Sequence, residues 1–331
     1  MDDTQLFERL IGDFVPPRVF DVHAHLYRVD QLGSAVAPRI GQAWDVAGLA
    51  AWREAQTALL GDRAPRNGLF FPWPTVSLDT TAANQFLVDE LRAHPGSRPL
   101  MMIRPDDDPS TLDLDAGFIG FKVYHLYSGL ADSRDANAGV AESQNATIDQ
   151  FLPDWAWRIA HERSWVIMLH IVRQRSLADP VNTDTIREKC TQYPGAKLIL
   201  AHAARGFAGP HTVEGIERLS GLDNVYFDTS VVCEPLPLCA ILKVFGPGRL
   251  MYGSDFPASQ WRGKPFSIGD GFYWIYDDSV DWTAWTLGQP TLTSIEALHA
   301  LKQATELLSL ADADIQRIFY DNAAELLGLE E

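Results

Sequence analysis

Two histidines separated by one residue carry the first chemical signal in this chain: His23 and His25 in Asp21-Val22-His23-Ala24-His25. They come at the end of the apolar run Val19-Phe20-Asp21-Val22. Alternate residues of a β-strand point to the same face, so both imidazoles aim at one spot, with the strand expected to end there. Neutral imidazoles held that way are ligands for a divalent metal. Three more such groups follow later apolar runs. His170 closes Trp165-Val166-Ile167-Met168-Leu169, His202 closes Lys197-Leu198-Ile199-Leu200-Ala201, and Asp255 follows Leu250-Met251-Tyr252-Gly253-Ser254. Each alone has an ordinary explanation, a hydrogen-bonded histidine or a capping aspartate. Their joint recurrence at strand ends points to a metal site.

The elements that would position these residues are short apolar, β-rich runs near 18–23, 68–72, 99–103, 117–123, 165–170, 197–202, 224–229 and 249–253. Segments with helical periodicity lie between most of them: 81–94, 147–162 and 182–193. Strands alternating with helices predict parallel β/α units, and this number of strands predicts a (β/α)8 TIM barrel, an α/β fold with its active site at the C-terminal strand ends. The whole chain, 1–331, reads as one domain with two insertions, a long loop after strand one (28–67, with a helix around 45–60) and an aromatic-rich one after strand eight (256–292). The second holds Trp261, Phe266, Phe272, Tyr273, Trp274, Tyr276, Trp282 and Trp285. Insertions of this size are binding loops or lids, although large aromatics also pack or fill subunit contacts. The connection 104–116 is too short and too rich in Pro and Asp for a full helix. Helices are expected over 294–310 and 312–327.

The formal net charge of -17 disfavours a nucleic-acid partner or an anionic membrane surface. No apolar run is long enough for a membrane span, and the acidic start Met1-Asp2-Asp3-Thr4 does not resemble a secretory signal. Three sparse cysteines, Cys190, Cys233 and Cys239, form no disulfide framework and suggest a reduced, cytoplasmic protein.

Phe20-Asp21-Val22-His23-Ala24-His25, Met168-Leu169-His170, Leu200-Ala201-His202 and Tyr252-Gly253-Ser254-Asp255-Phe256-Pro257 resemble the amidohydrolase superfamily. The likeness is to its branch of single-domain metal-dependent hydrolases and decarboxylases, the amidohydrolase-2 type. Ile318-Phe319-Tyr320-Asp321-Asn322-Ala323 resembles that branch's C-terminal helix, and the likeness runs from residue 18 to 329. It implies that His23, His25, His170 and Asp255 hold one divalent ion, zinc with manganese as the alternative. It places His202 beside the activated water as a proton-handling residue. Asp255 could ligate with one oxygen and accept a proton with the other.

Lys122 ends Gly117-Phe118-Ile119-Gly120-Phe121-Lys122, the fourth predicted strand. In two-metal relatives a strand-four lysine is carboxylated and bridges two ions, so a second ion is one reading. An ammonium facing an anionic substrate and a structural ion pair are the others. Arg28, Arg104, Arg173, Arg175 and Arg205 also fall at strand ends, His125 lies just past strand four, and Arg262 sits in the aromatic insertion. Arginine forks grip carboxylates, so Lys122, His125, Arg104, Arg173 and Arg205 are candidate contacts for a small anionic substrate, unless they pair with nearby Asp and Glu.

The leading expectation is therefore a metal-dependent hydrolase of a carboxylic ester, lactone or amide, with Asp255 and His202 moving protons. The alternative is a metal-dependent decarboxylase of an aromatic or enolic acid. Sugar-acid isomerisation and a non-catalytic metal scaffold are thinner readings. A homodimer is expected from the tryptophan-rich insertion.

Overall fold

Apolar runs too short to bury themselves alone are joined here into a ring. The computed structural model describes residues 2–34, 38–41, 43–130, 140–284 and 288–329. The ring strands are β1 (Asp21–Arg28), β2 (Gly68–Pro72), β3 in two pieces (Arg98–Pro99 and Met101–Met102), β4 (Gly120–Val123), β5 (Val166–Leu169), β6 (Lys197–Leu200), β7 (Val225–Asp228) and β8 (Leu250–Met251). Neighbours pair in parallel and in chain order, with Ala24 opposite Phe70, Lys122 opposite Met168, Met168 opposite Ile199, and Met251 opposite Asp228.

Backbone hydrogen bonds carry the ring across its two seams. At the break in β3, Leu100 N–H donates to the Phe70 carbonyl at 2.8 Å. Between the last strand and the first, Val22 N–H donates to Tyr252 O at 3.0 Å, Asp255 N–H to His23 O at 2.7 Å, and His25 N–H to Phe256 O at 2.8 Å. The result is the expected (β/α)8 barrel. The last seam also fixes His23, His25 and Asp255 side by side.

The helices outside the ring form where the sequence supplies caps and an apolar stripe. The helix Thr80–Leu91 starts at Asp79, whose carboxylate accepts from Ala82 N–H, and it buries Ala83, Leu87 and Leu91. The helix Pro180–Gln192 pairs an Asp179 cap with proline at its first turn. One buried cluster lies between strands and helices. A second unites Val22, Leu69, Phe71, Leu100, Val166, Met168, Ile199 and Met251 with Ala323 and Leu326 of the last helix, and so fills the ring's interior.

Three local features differ from the sequence reading. β1 does not stop at the histidines but runs on to Arg28, because Leu26 and Tyr27 are fully buried and continue the strand. Its pairing with β2 shifts register between Asp21 and Ala24, an irregularity that falls where His23 is aimed into the ring. The segment 256–292 contains an antiparallel hairpin, β9 (Gly263–Ile268) with β10 (Gly271–Tyr276). Trp285 lies outside the described residues.

Other expectations hold closely. The first insertion carries the helix Leu49–Leu60, and 104–116 holds only the short turn Pro109–Thr111. The tail is helical over Thr293–Leu307 and again from Asp312 to Leu327. The two insertions meet: Arg39 lies 4.2 Å over the Tyr276 ring and pairs with Asp277 at 3.4 Å and with Asp278. Among the described residues, no helix is long and apolar enough to cross a membrane.

Candidate metal centre and substrate cavity

The middle of β1 and the segment that follows β8 bring three ligand atoms together. His23 Nε2 and His25 Nε2 each lie 3.3 Å from Asp255 Oδ1, and all three residues are buried. The far nitrogen of each ring decides what faces the carboxylate. His25 Nδ1 lies 2.9 Å from the Pro72 carbonyl, which can only accept, so Nδ1 carries the proton. His23 Nδ1 lies 2.9 Å from Asp228 Oδ2 and must likewise donate.

Both Nε2 atoms therefore turn bare lone pairs toward a carboxylate oxygen. Burial, then the Lys122 charge, pushes both histidine pKa values down, so protonation does not relieve the contact. Burial pushes the Asp255 carboxyl up. His23 Nε2 has no hydrogen-bond partner. Lone pairs converging on one point need a cation between them, and a spacing near 3.3 Å suits ligands each about 2.0–2.1 Å from one ion. Two imidazoles whose far nitrogens are tied down, together with a carboxylate, fit a divalent ion such as zinc. Close approach of the two chain segments requires a small residue. A Cβ at Gly253 would lie 2.8 Å from the Cβ of His23.

His202 flanks this trio, its ring 4.8 Å from that of His23. Its Nδ1 lies 3.1 Å from the Ser230 carbonyl and 2.9 Å from Ser230 Oγ, so Nδ1 carries the proton and Nε2 the lone pair. Burial lowers its pKa to about 4. The backbone there is unusual: His202, Ala203, Ala204 and Arg205 all have φ between 52° and 58°. A left-handed turn of non-glycine residues costs roughly 1–2 kcal/mol per residue, so neighbouring bonds must hold it. His170 packs against His202 with ring centroids 5.0 Å apart and is not in the close group of His23, His25 and Asp255. Its Nδ1 has no partner.

Beside His170 opens a cavity of about 520 Å³ lined by Tyr124, His125, Gln144, Arg205, Phe207, Phe272 and Trp274, among others. Phe272 and Trp274 come from the hairpin, which forms part of the cavity wall; they pack on Phe207 at 5.1 and 5.5 Å. Arg205 donates to the Arg173 carbonyl at 2.8 Å and to Gln144 Oε1, and its guanidinium lies 5.1 Å over Phe272. It is 8% exposed and meets no carboxylate among the described residues. His125 donates to or accepts from Ser143 Oγ at 2.9 Å, and burial, then Arg205, lowers its pKa to about 3.

The other basic candidates are placed differently. Arg173 pairs with Asp179 at 2.7 Å, and Arg104 bonds the Leu78 carbonyl at 2.9 Å and lies 4.2 Å over Tyr127. Arg28, Arg175 and Arg262 pair with Asp30, Glu214 and Asp3. Lys122 is fully buried, 4.3 Å over the Phe71 ring, with no hydrogen-bond partner on Nζ. Burial brings its pKa down to about 8, and it does not line the cavity.

The sequence reading passed over Asp228 and Gln144. Asp228 ends β7, so the strand-end rule that found His170 and His202 would have found it too.

Comparison with known proteins agrees with this geometry. A family model described as amidohydrolase matches residues 20–329. A 6-methylsalicylic acid decarboxylase of Penicillium expansum is 33% identical over 81 residues, 20% of this chain and 24% of that protein. The match thus spans about a quarter of that relative's length. A probable 2-pyrone-4,6-dicarboxylic acid hydrolase from Acinetobacter baumannii, solved with citric acid bound, superposes with a TM-score of 0.59 at 14% identity, covering 94% of this chain and 99% of that one. An amidohydrolase from Burkholderia multivorans with bound zinc gives a TM-score of 0.57 at 16% identity, over 94% of this chain and 99% of that one. At such identities the superpositions speak for the fold. With matched sequence over nearly its whole length, this chain belongs to the amidohydrolase family and is an enzyme of that family.

Proposed function

We propose that this enzyme is a metal-dependent hydrolase of a small anionic ester, lactone or amide. The observation that carries the reading is the pair of bare Nε2 lone pairs, on His23 and His25, facing Asp255 Oδ1 at 3.3 Å. A divalent ion, which we take to be zinc, would be held by His23, His25 and Asp255, with His170 as the further ligand expected from the sequence. When bound, such an ion activates water and polarises a carbonyl oxygen.

The protein supplies the rest. His202 Nε2 bears a lone pair and accepts a proton from the attacking water, while its Nδ1–H stays fixed on Ser230. Asp255 Oδ2, not held by any hydrogen bond among the described residues, is a second proton acceptor. Arg205 is a buried cation with no acidic partner among the described residues, in a chain of net charge -17. A substrate carboxylate supplies the missing counter-charge, and His125 lines the same cavity. The aromatic side chains Phe207, Phe272 and Trp274 cover the substrate body and keep water out. Lys122 is buried over Phe71 and does not line this cavity, so its positive field, or a carbamate formed on it, would act on the ligand histidines rather than on substrate. The buried Cys190 and Cys233 thiols suit a reducing compartment, and we infer a cytoplasmic enzyme.

The test is turnover of a panel of carboxylated lactones and esters by zinc- and manganese-loaded protein in a pH-stat, with carboxylated amides followed by amine release. Acid or amine release that stops on chelation supports hydrolysis. Carbon dioxide release from an aromatic or enolic acid would replace it with decarboxylation, and a protein that binds no divalent ion would end both readings.

A further inference from the structure

Asp228 is fully buried at the end of β7, and both of its carboxylate oxygens are committed. Oδ2 accepts from His23 Nδ1 at 2.9 Å. Oδ1 accepts from the backbone N–H of His202 at 2.8 Å, from Ser230 N–H at 3.0 Å, and from Ser230 Oγ. Asp228 lies close enough to His23 and His202 to resemble a ligand cluster in its own right. Its oxygens are instead spent on N–H and O–H donors.

We propose that Asp228 is a positioning residue that couples the metal centre to the strained turn bearing His202 and Arg205. One oxygen keeps the proton of His23 on Nδ1, so that Nε2 is free to ligate. The other takes the first N–H of the left-handed run 202–205, holding the turn that places His202 beside the ligands and Arg205 in the cavity. A carboxylate can meet all of these donors at once, and an amide cannot. In Asp228→Asn, an NH2 turned to His23 forces that ring to put its proton on Nε2, blocking the ligand atom. An NH2 turned the other way faces the N–H groups of His202 and Ser230.

This inference rests on the metal-dependent reading, so the experiment separates the two. Zinc binding to metal-free wild-type protein and to Asp228→Asn is measured by calorimetry, and histidine tautomers are read from two-bond 15N spectra, with His23 assigned by His23→Gln. We expect metal-free wild type to show His23 protonated on Nδ1. Asp228→Asn should show the proton on Nε2 and bind zinc about 10–100-fold more weakly. Equal zinc affinity in both proteins overturns the role of Asp228 while leaving the metal centre intact. A wild-type His23 with its proton on Nε2 overturns it without recourse to any Asp228 variant, should that variant not fold. Failure of wild type to bind zinc or manganese at all overturns the metal-centre reading instead.

Discussion

The guanidinium of Arg205 donates to the main-chain carbonyl of Arg173 at 2.8 Å, 32 positions away in sequence. Neutral acceptors satisfy its geometry but not its charge. With no counter-ion among the described residues this is a cost, since an unpaired buried cation is poorly solvated. Replacing Arg205 with Met should therefore leave thermal stability undiminished while lowering kcat/KM for an anionic substrate about 10–100-fold, the value of a charge-assisted hydrogen bond. Steady-state kinetics beside thermal melts check the pairing. A variant that melts earlier and keeps its kcat/KM would contradict the assignment.

Ala204 sits in the left-handed region at φ 58° and ψ 49°. Glycine adopts that conformation without steric cost, although it loses more chain entropy on folding. Ala204→Gly should stabilise the protein by about 0.5–1 kcal/mol, the reverse of the usual effect of glycine in a helix. Denaturant unfolding in the presence of chelator measures this without interference from metal.

Removal of metal should cost stability as well as activity. The contact of His23 and His25 with Asp255 is repulsive without a cation, so a divalent ion that fits there would bind the folded state in preference to the unfolded chain. Free zinc at ~100 times its Kd adds about 2.7 kcal/mol. Melting curves across a zinc series should move upward in wild type and stay still in Asp255→Ala.

The pH dependence of the metal-free protein follows from buried imidazoles, His125 and His202 together with His23, His25 and His170, all of which burial lowers. Burial lowers His125 to about 3 and His202 to about 4, against an ordinary value of 6.5. Below pH 6.5 the unfolded chain takes up protons that the folded protein refuses. The stability is complete above pH 6.5 and is lost as pH falls toward 4, by on the order of a few kcal/mol. Asp21, raised to about 6 mainly by burial, works in the opposite direction, because its folded form holds a proton that the unfolded form releases between pH 3.8 and 6. The histidines outweigh it. Urea unfolding of chelated protein at pH 8, 6.5 and 5 should show a falling midpoint, and a flat profile would refute the assignment.

Much of this was legible in the chain itself. Apolar runs located every ring strand to within a few residues, because a parallel barrel strand is buried on both faces and must be apolar throughout. His23, His25 and Asp255 were legible because strand ends share a rim. Arg205 could not be told from Arg173 or Arg104, since the difference lies in which carboxylates and carbonyls happen to stand nearby. Asp228 closes a strand as His170 and His202 follow theirs and could have been picked out the same way; its role could not. Its value comes from His23, 205 positions earlier, and no local spacing records that contact. The end of β1 was misjudged because the polar histidines look like a boundary, whereas Leu26 and Tyr27 beyond them are still core.

The hairpin Gly263–Tyr276 touches the substrate cavity through Phe272 and Trp274, yet contributes nothing to the ligand trio. Part of the cavity wall is thus written in a stretch of chain that supplies none of the ligand trio. On the proposed reading, mutation in the hairpin would reshape that wall and leave His23, His25 and Asp255 in place, so kinship at the rim says little about what each cousin consumes.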